Sequence, residues 1–139
     1  MILGLFADHA GHDVKEAVYE QLEQRDGVEV RNFSGYEEGD DYPDVVDDAC
    51  QRYEAGECDA VIVICGTGIG VSMAANRRGV RVGRVCSPED AELAKRHNDA
   101  EGLAFGGRQM DADRIVECID AYLSAEFEGG RHERRVNKI

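Results

Sequence analysis

Short apolar runs and amphipathic stretches alternate along the whole chain. Ile2 to Phe6 is an apolar run that predicts a first strand. Gly11 to Arg25 carries Val14, Ala17, Val18 and Leu22 near helical spacing, and Gly27 follows as a stop. Val28 to Phe33 alternates like a second, half-exposed strand. Ser34 to Asp41, with two glycines among polar and acidic residues, predicts a loop. Pro43 then opens a helix to about Ala55, with Gly56 beyond it. Ala60 to Ile64 is the most strand-like run of all, apolar and β-branched, and a glycine cluster closes it. A helix from Val71, a fourth strand over Val80–Val85 and a helix opened by Ser87-Pro88 come next. That helix ends near His97-Asn98, and Leu103 to Phe105 is a short fifth strand. Asp111 to Ala125 forms the last helix, with Ile115, Ile119, Tyr122 and Leu123 as its buried stripe.

Strict alternation of strand and helix predicts an α/β fold: a single-domain, doubly wound (Rossmann-like), five-stranded parallel sheet with helices on both faces. Residues 1–139 read as one domain, in which about 127–139 form a basic C-terminal tail. In such folds ligands bind beyond the C-terminal ends of the strands, where the strand order reverses. That rule brings Asp8-His9, after strand one, and Cys65 to Gly70, after strand three, to one crevice.

The formal charge of −13 argues against a nucleic-acid partner. No apolar run approaches the roughly 20 residues that span a bilayer, so no membrane partner is expected. Met1 to Phe6 is too short for a signal-peptide core and lacks a basic leader, so a cytoplasmic location is expected. Five cysteines without a C-x-x-C pair fit reduced thiols better than a disulfide framework or a zinc ribbon. Cys50, Cys58 and Cys118 fall on stretches read as helical and are expected to pack, while Cys86 ends the fourth strand. Against the acidity stands the cluster Arg131-His132-Glu133-Arg134-Arg135. It suggests an anionic ligand, or else a solvated tail balancing an acidic surface.

Chemistry concentrates in Cys65-Gly66-Thr67-Gly68-Ile69-Gly70. Alternate glycines let a loop turn sharply and bring several N–H groups to a ligand. The helix behind it adds unpaired donors and partial positive charge, which favour anions. A cysteine at the strand end, facing those donors, suits a thiolate reagent. A buried thiol capping an ordinary turn is the alternative. No nicotinamide cofactor is expected: the first turn lacks G-x-G-x-x-G, the Cys65 loop has the wrong glycine spacing, and no Walker lysine is present. A metal site on Asp8, His9 and His12 would require His9 and His12, three apart, to share one side of a helix. With no H-E-x-x-H and no cysteine pair, no metal is expected.

Asp8-His9-Ala10-Gly11, Cys65 to Gly70 with Ala74-Ala-Asn76, His97-Asn98-Asp99, Phe105-Gly-Gly-Arg108 and Glu128-Gly-Gly-Arg-His132 together resemble the type B ribose-5-phosphate isomerases. Galactose-6-phosphate and allose-6-phosphate isomerases belong to the same group. The matches run in register from residue 8 to residue 135.

The resemblance implies an aldose–ketose isomerase of sugar phosphates that needs neither metal nor cofactor and works through a cis-enediolate. It implies Cys65 as the base between C1 and C2, with the N–H groups of Gly66, Thr67, Gly68, Ile69 and Gly70 holding the enediolate oxygen. It further implies Asp8 on the sugar hydroxyls, His9 at the phosphate or ring end, and Tyr42 lining the sugar pocket. His97, assisted by Thr67, would be the acid for ring opening, and Asn98 would hold an open-chain oxygen. Arg108, Arg131 and Arg135 would clamp the phosphate, for which guanidinium geometry is well suited. Arg134 reads as surface. Val71 stands where one family branch places a glutamate base. The arginine-rich Val80–Arg84 and the pair Glu101-Gly102 depart from the family pattern and leave the sugar's length and stereochemistry open among four-, five- and six-carbon phosphates. A non-catalytic phosphate-binding module would need the glycines and arginines but not the thiol.

Cys65 ends a strand, whereas His97 and Asn98 precede one, so they belong to opposite edges of the sheet. Five residues of strand span roughly 17 Å, more than a histidine side chain covers. If both act on one sugar, a second chain must supply His97. The expected assembly is a homodimer, or dimer of dimers, with shared active sites.

Overall fold

Alternate residues of one central strand face opposite ways, and this fixes where two helix layers attach. The computed structural model describes residues 1–139. In chain order it runs β1 (Ile2–Ala7), α1 (His12–Leu22), β2 (Glu29–Asn32), α2 (Tyr42–Glu54), β3 (Ala60–Cys65), α3 (Ile69–Arg77), β4 (Val82–Arg84), α4 (Pro88–Asn98), β5 (Gly102–Gly106), α5 (Ala112–Ser124) and α6 (Arg131–Val136). All strands are parallel, in the order β2-β1-β3-β5-β4. The expected five-stranded sheet with helices on both faces is what forms.

Every residue of β3 is buried. Ala60, Ile62 and Ile64 pack with Leu3, Leu5, Leu103 and Phe105 under α1, α4 and α5. Val61, Val63 and Cys65 face the other way, into a core built with Val46 and Cys50 of α2 and Val71 and Ala75 of α3. Burying a Val, Leu or Ile side chain contributes about 1.5–3 kcal/mol, so β3 is the strand on which both layers depend most. Its period-two pattern also puts the Cys65 side chain on the α2–α3 face.

Several element ends differ from the expected ones. The fourth strand is Val82–Arg84 rather than Val80–Val85. Val80 is used instead to close α3, its N–H donating to Ala75 O at 3.1 Å, after Gly79 at φ +86°. The first helix stops at Leu22, three residues short of Arg25, and Gly27 turns the chain further on. Ser87 caps α4 as expected, accepting from Asp90 N–H at 3.1 Å. Asp111 caps α5 rather than beginning it, accepting from Arg114 N–H at 2.9 Å. Cys58 lies in the turn before β3, not on a helix, although it is buried like Cys50 and Cys118. The basic tail is not loose: it contains α6, which packs against α4.

The strand order departs from β1 toward β2 on one side and toward β3 on the other. The crevice at that reversal lies between the C-terminal ends of β1 and β3. Asp8 follows the first and Cys65 ends the second, as the ligand rule for these sheets requires.

Candidate active site

Main-chain geometry builds the floor of this crevice. Gly68 has φ +75°, and a side chain there would bring its Cβ to 2.7 Å from the Phe105 carbonyl carbon. Only glycine satisfies both conditions, and it turns the loop so that Gly68 N–H donates to Cys65 Sγ at 3.2 Å. The loop is locked to the end of β5: Gly107 N–H donates to Cys65 O at 2.7 Å and Arg108 N–H to Gly66 O at 3.1 Å. Thr67 Oγ1 accepts from Ile69 N–H at 3.2 Å where α3 begins, leaving the next N–H groups of that helix without intrahelical partners. Arg84, one of the unexpected arginines, donates to Thr67 O at 2.8 Å and to Gln109 Oε1 at 2.7 Å, bracing the loop from outside.

Side chains close the walls. Asp8 is buried and its Oδ1 accepts from Ala10 and Gly11 N–H at 3.0 and 3.1 Å, so the carboxylate is held rigidly. The Tyr42 ring lies over Gly70, where a Cβ would come within 2.6 Å of it, and the Arg108 guanidinium lies over Gly66 in the same manner at 3.0 Å. Asp8, His9, Ala10, Tyr42, Cys65, Gly66, Thr67, Gly70 and Arg108 line one cleft of about 250 Å³. Cys65 is only 5% exposed and is one of the residues that line the cleft. A larger hollow of about 440 Å³ lies alongside, but Glu37, Asp40, Asp41, Asp44 and Asp48 line it and would repel an anion.

Two partners of the site were not foreseen. Asp40, in the acidic loop, accepts from both the backbone N–H and Nδ1 of His9 at 2.8 Å. This hydrogen bond raises the His9 pKa above its ordinary value, with a smaller contribution from the Asp8 charge, while desolvation works against it. The two residues are 31 positions apart, so no local signal joins them. Lys15 is fully buried and holds Glu16, Asn32 and the Ser34 carbonyl, anchoring the loop that carries Asp40. Asp8, His9 and Asp40 present ligand atoms within 4.8 Å of one another. His12, expected beside them in any such set, stands apart with its ring edge on Tyr36.

The remaining candidates gather elsewhere. His97 stacks on His132, ring centres 4.2 Å apart, and both face Glu128. Asn98 opens onto a separate hollow of about 190 Å³ with Asn76, Arg81 and Ile139. Arg131 and Arg135 are exposed on α6 and enter none of the ion pairs within the chain. The register Val61↔Gly102 and Cys65↔Gly106 sets His97 and Asn98 before the start of β5, with Cys65 at its far end. Four strand steps are roughly 13 Å at about 3.3 Å each, so one chain does not bring His97 to Cys65.

Known proteins resemble this chain over nearly its whole length. Residues 3–139 match the model of the Ribose/Galactose Isomerase family. The ribose-5-phosphate isomerase B of Escherichia coli is 40% identical over 134 residues, covering 95% of this chain and 89% of that protein. The solved structure of Clostridium thermocellum ribose-5-phosphate isomerase B superposes with a TM-score of 0.93 at 41% identity, covering 99% of this chain and 94% of that one. That of the Mycoplasma genitalium enzyme, with bound ribulose-5-phosphate, gives 0.87 at 34% identity, covering 99% and 92%. With a match over nearly its whole length and a cleft at the place its sheet dictates, the chain belongs to the ribose/galactose isomerase family.

Proposed function

We propose that this protein interconverts D-ribose 5-phosphate and D-ribulose 5-phosphate through a cis-enediolate, with Cys65 as the base. The observation that carries the reading is Cys65, its sulfur accepting from Gly68 N–H, among the residues lining a cleft that also holds the fixed Asp8 carboxylate and Arg108. A thiolate there takes the proton from C2 of the open-chain aldose. Electrons move into the C1–C2 bond and onto the carbonyl oxygen O1, a proton passes from O2 to O1, and the thiol returns the carbon-bound proton to C1 as O2 becomes the ketone oxygen. The loop N–H groups at the start of α3 stabilise the charge that develops on oxygen, and such donors contribute most where water is excluded. Asp8 orients the hydroxyls, and His9, Tyr42 and Arg108 hold the rest of the sugar phosphate. This route asks for no metal, because the donors already stabilise the enediolate.

The aldose is a closed ring in solution, so a proton must first reach the ring oxygen. On this reading His97 donates it, Asn98 holds the freed chain, and Arg131 and Arg135 complete the phosphate clamp. The register of β3 and β5 separates these groups from Cys65 within one chain, which favours their arriving from a second subunit related by a two-fold axis. The substrate panel tests the assignment: ribose 5-phosphate, allose 6-phosphate, galactose 6-phosphate and a four-carbon aldose phosphate are compared by kcat/KM. Ribose 5-phosphate is expected to lead, and preference for another sugar would reassign the substrate within the family. In D₂O, deuterium is expected at C1 of the ketose, and chelator is expected to leave the rate unchanged. Loss of activity with chelator, restored by a divalent ion, would contradict the route.

A further inference from the structure

Outside the cleft, His97, Glu128 and His132 bring ring nitrogens and a carboxylate within 4.8 Å of one another. Arg96 Nε and Nη2 both donate to Glu128 Oε1, at 2.8 and 2.5 Å, and Glu128 N–H donates to the Arg96 carbonyl at 3.0 Å. Arg96 is itself steadied from one turn earlier, where Nη1 donates to Glu92 Oε1 at 2.8 Å. The carboxylate is therefore tied to α4 through one oxygen, and the other is turned to the two imidazoles. Glu128 Oε2 lies 3.8 Å from His97 Nε2 and 3.4 Å from His132 Nε2.

The two rings are nearly parallel, 8° apart at 4.2 Å between centres. Their in-plane lone pairs run side by side rather than converging on a point about 2.0 Å from both, as a zinc ion would need. Two imidazolium ions face to face would repel. His132 is the buried one, and burial lowers its pKa, as do the positive charges of His97, Arg131 and Arg135. His97 is the more exposed of the two rings and the one that opens outward.

We propose that Glu128 is a positioning residue for ring opening: clamped by Arg96, it holds the His97 imidazole against the His132 ring in the orientation from which a proton passes to the sugar's ring oxygen. This rests on His97 being the ring-opening acid. In that step the C1–O4 bond breaks and its electron pair stays on O4, which takes the imidazolium proton. The C1 hydroxyl loses its proton to water and becomes the aldehyde, and His97 is left neutral. Glu128 makes no contact with the reacting atoms.

The experiment isolates ring opening from isomerisation. In a Cys65→Ala enzyme the carbon-bound proton is not moved, but α and β anomers of ribose 5-phosphate still interconvert through the open chain. With 1-¹³C ribose 5-phosphate, saturation transfer reads that exchange directly. Cys65→Ala is expected to accelerate exchange above the buffer rate. Adding Glu128→Gln is expected to lower the acceleration about fivefold, the upper scale of one partly exposed ion pair, with the dissociation constant for ribose 5-phosphate unchanged within twofold. Glu128→Asp is expected to recover part of the loss. Equal exchange in the Gln variant overturns the proposal, as does a parallel loss of binding, which would mark a merely structural role. No acceleration by Cys65→Ala itself removes His97's role and this proposal with it. Failure of the wild-type enzyme to make ribulose 5-phosphate, by contrast, strikes only at the assigned reaction, because anomer exchange is read separately.

Discussion

The Cys65 cleft and the α4–α6 cluster are built by opposite means. In the cleft the polar groups are mostly main chain, fixed by glycine turns and by hydrogen bonds between the β3 and β5 ends, and the thiol is buried. Around His97 they are long side chains, two of them arginines that have no acidic partner in the chain. A fixed array of N–H donors suits a charge that appears at one atom during reaction. Flexible guanidinium groups suit a phosphate that must be captured and released. On the proposed reading, the difference separates the parts for moving a proton between carbons from those, at the other sheet edge, for grasping and opening the sugar.

The sharpest way to break this division is to remove the thiol. Cys65→Ala is expected to abolish isomerisation by 10²–10⁴-fold or more, the usual contribution of a general base, while folding and phosphate binding persist. Retained activity in a steady-state assay would leave the cleft without its base. The cluster is probed through binding instead. Arg131→Ala and Arg135→Ala are each expected to raise KM about tenfold, since a charge-assisted hydrogen bond contributes roughly 1.5–3 kcal/mol. If both variants keep the wild-type KM, α6 is a solvated surface.

The smallest expected effect lies at the rim of the cleft. Asp40 raises the His9 pKa, so the ion pair contributes to stability below the ordinary value near 6.5 and is lost as pH rises through the folded-state value. Asp40→Asn should bring the His9 titration midpoint, read by NMR, back toward that ordinary value. An unmoved midpoint would mean that Asp40 does not govern His9.

How far the sequence foretold the site depended on how local each feature is. Strand β3, its alternating faces and the glycine loop are consecutive residues whose pattern states their own geometry, and the crevice followed from strand order. The boundaries of β4 and α1 differ from the expected ones because Val80 is taken into the closure of α3, donating to Ala75 O, and because Arg25 N–H turns back to Leu22 O where α1 ends. In the sequence Asp40 is one acid of a polar loop, since only the fold carries it to His9. Glu128 and His132 stood in a recognised motif, but their facing His97 depends on α6 docking against α4. The tail's positive charge gave no hint that it would be helical.

The central claim is that the cleft and the cluster act on one sugar phosphate across two chains, and mixing inactive subunits tests it most directly. Cys65→Ala and His97→Ala enzymes are each expected to be inactive alone. After random subunit exchange half the dimers are mixed, and each regains one intact site of two. The account predicts recovery of about a quarter of wild-type activity. No recovery, with exchange confirmed by mass spectrometry, would contradict it and would place both residues at one site within a single chain.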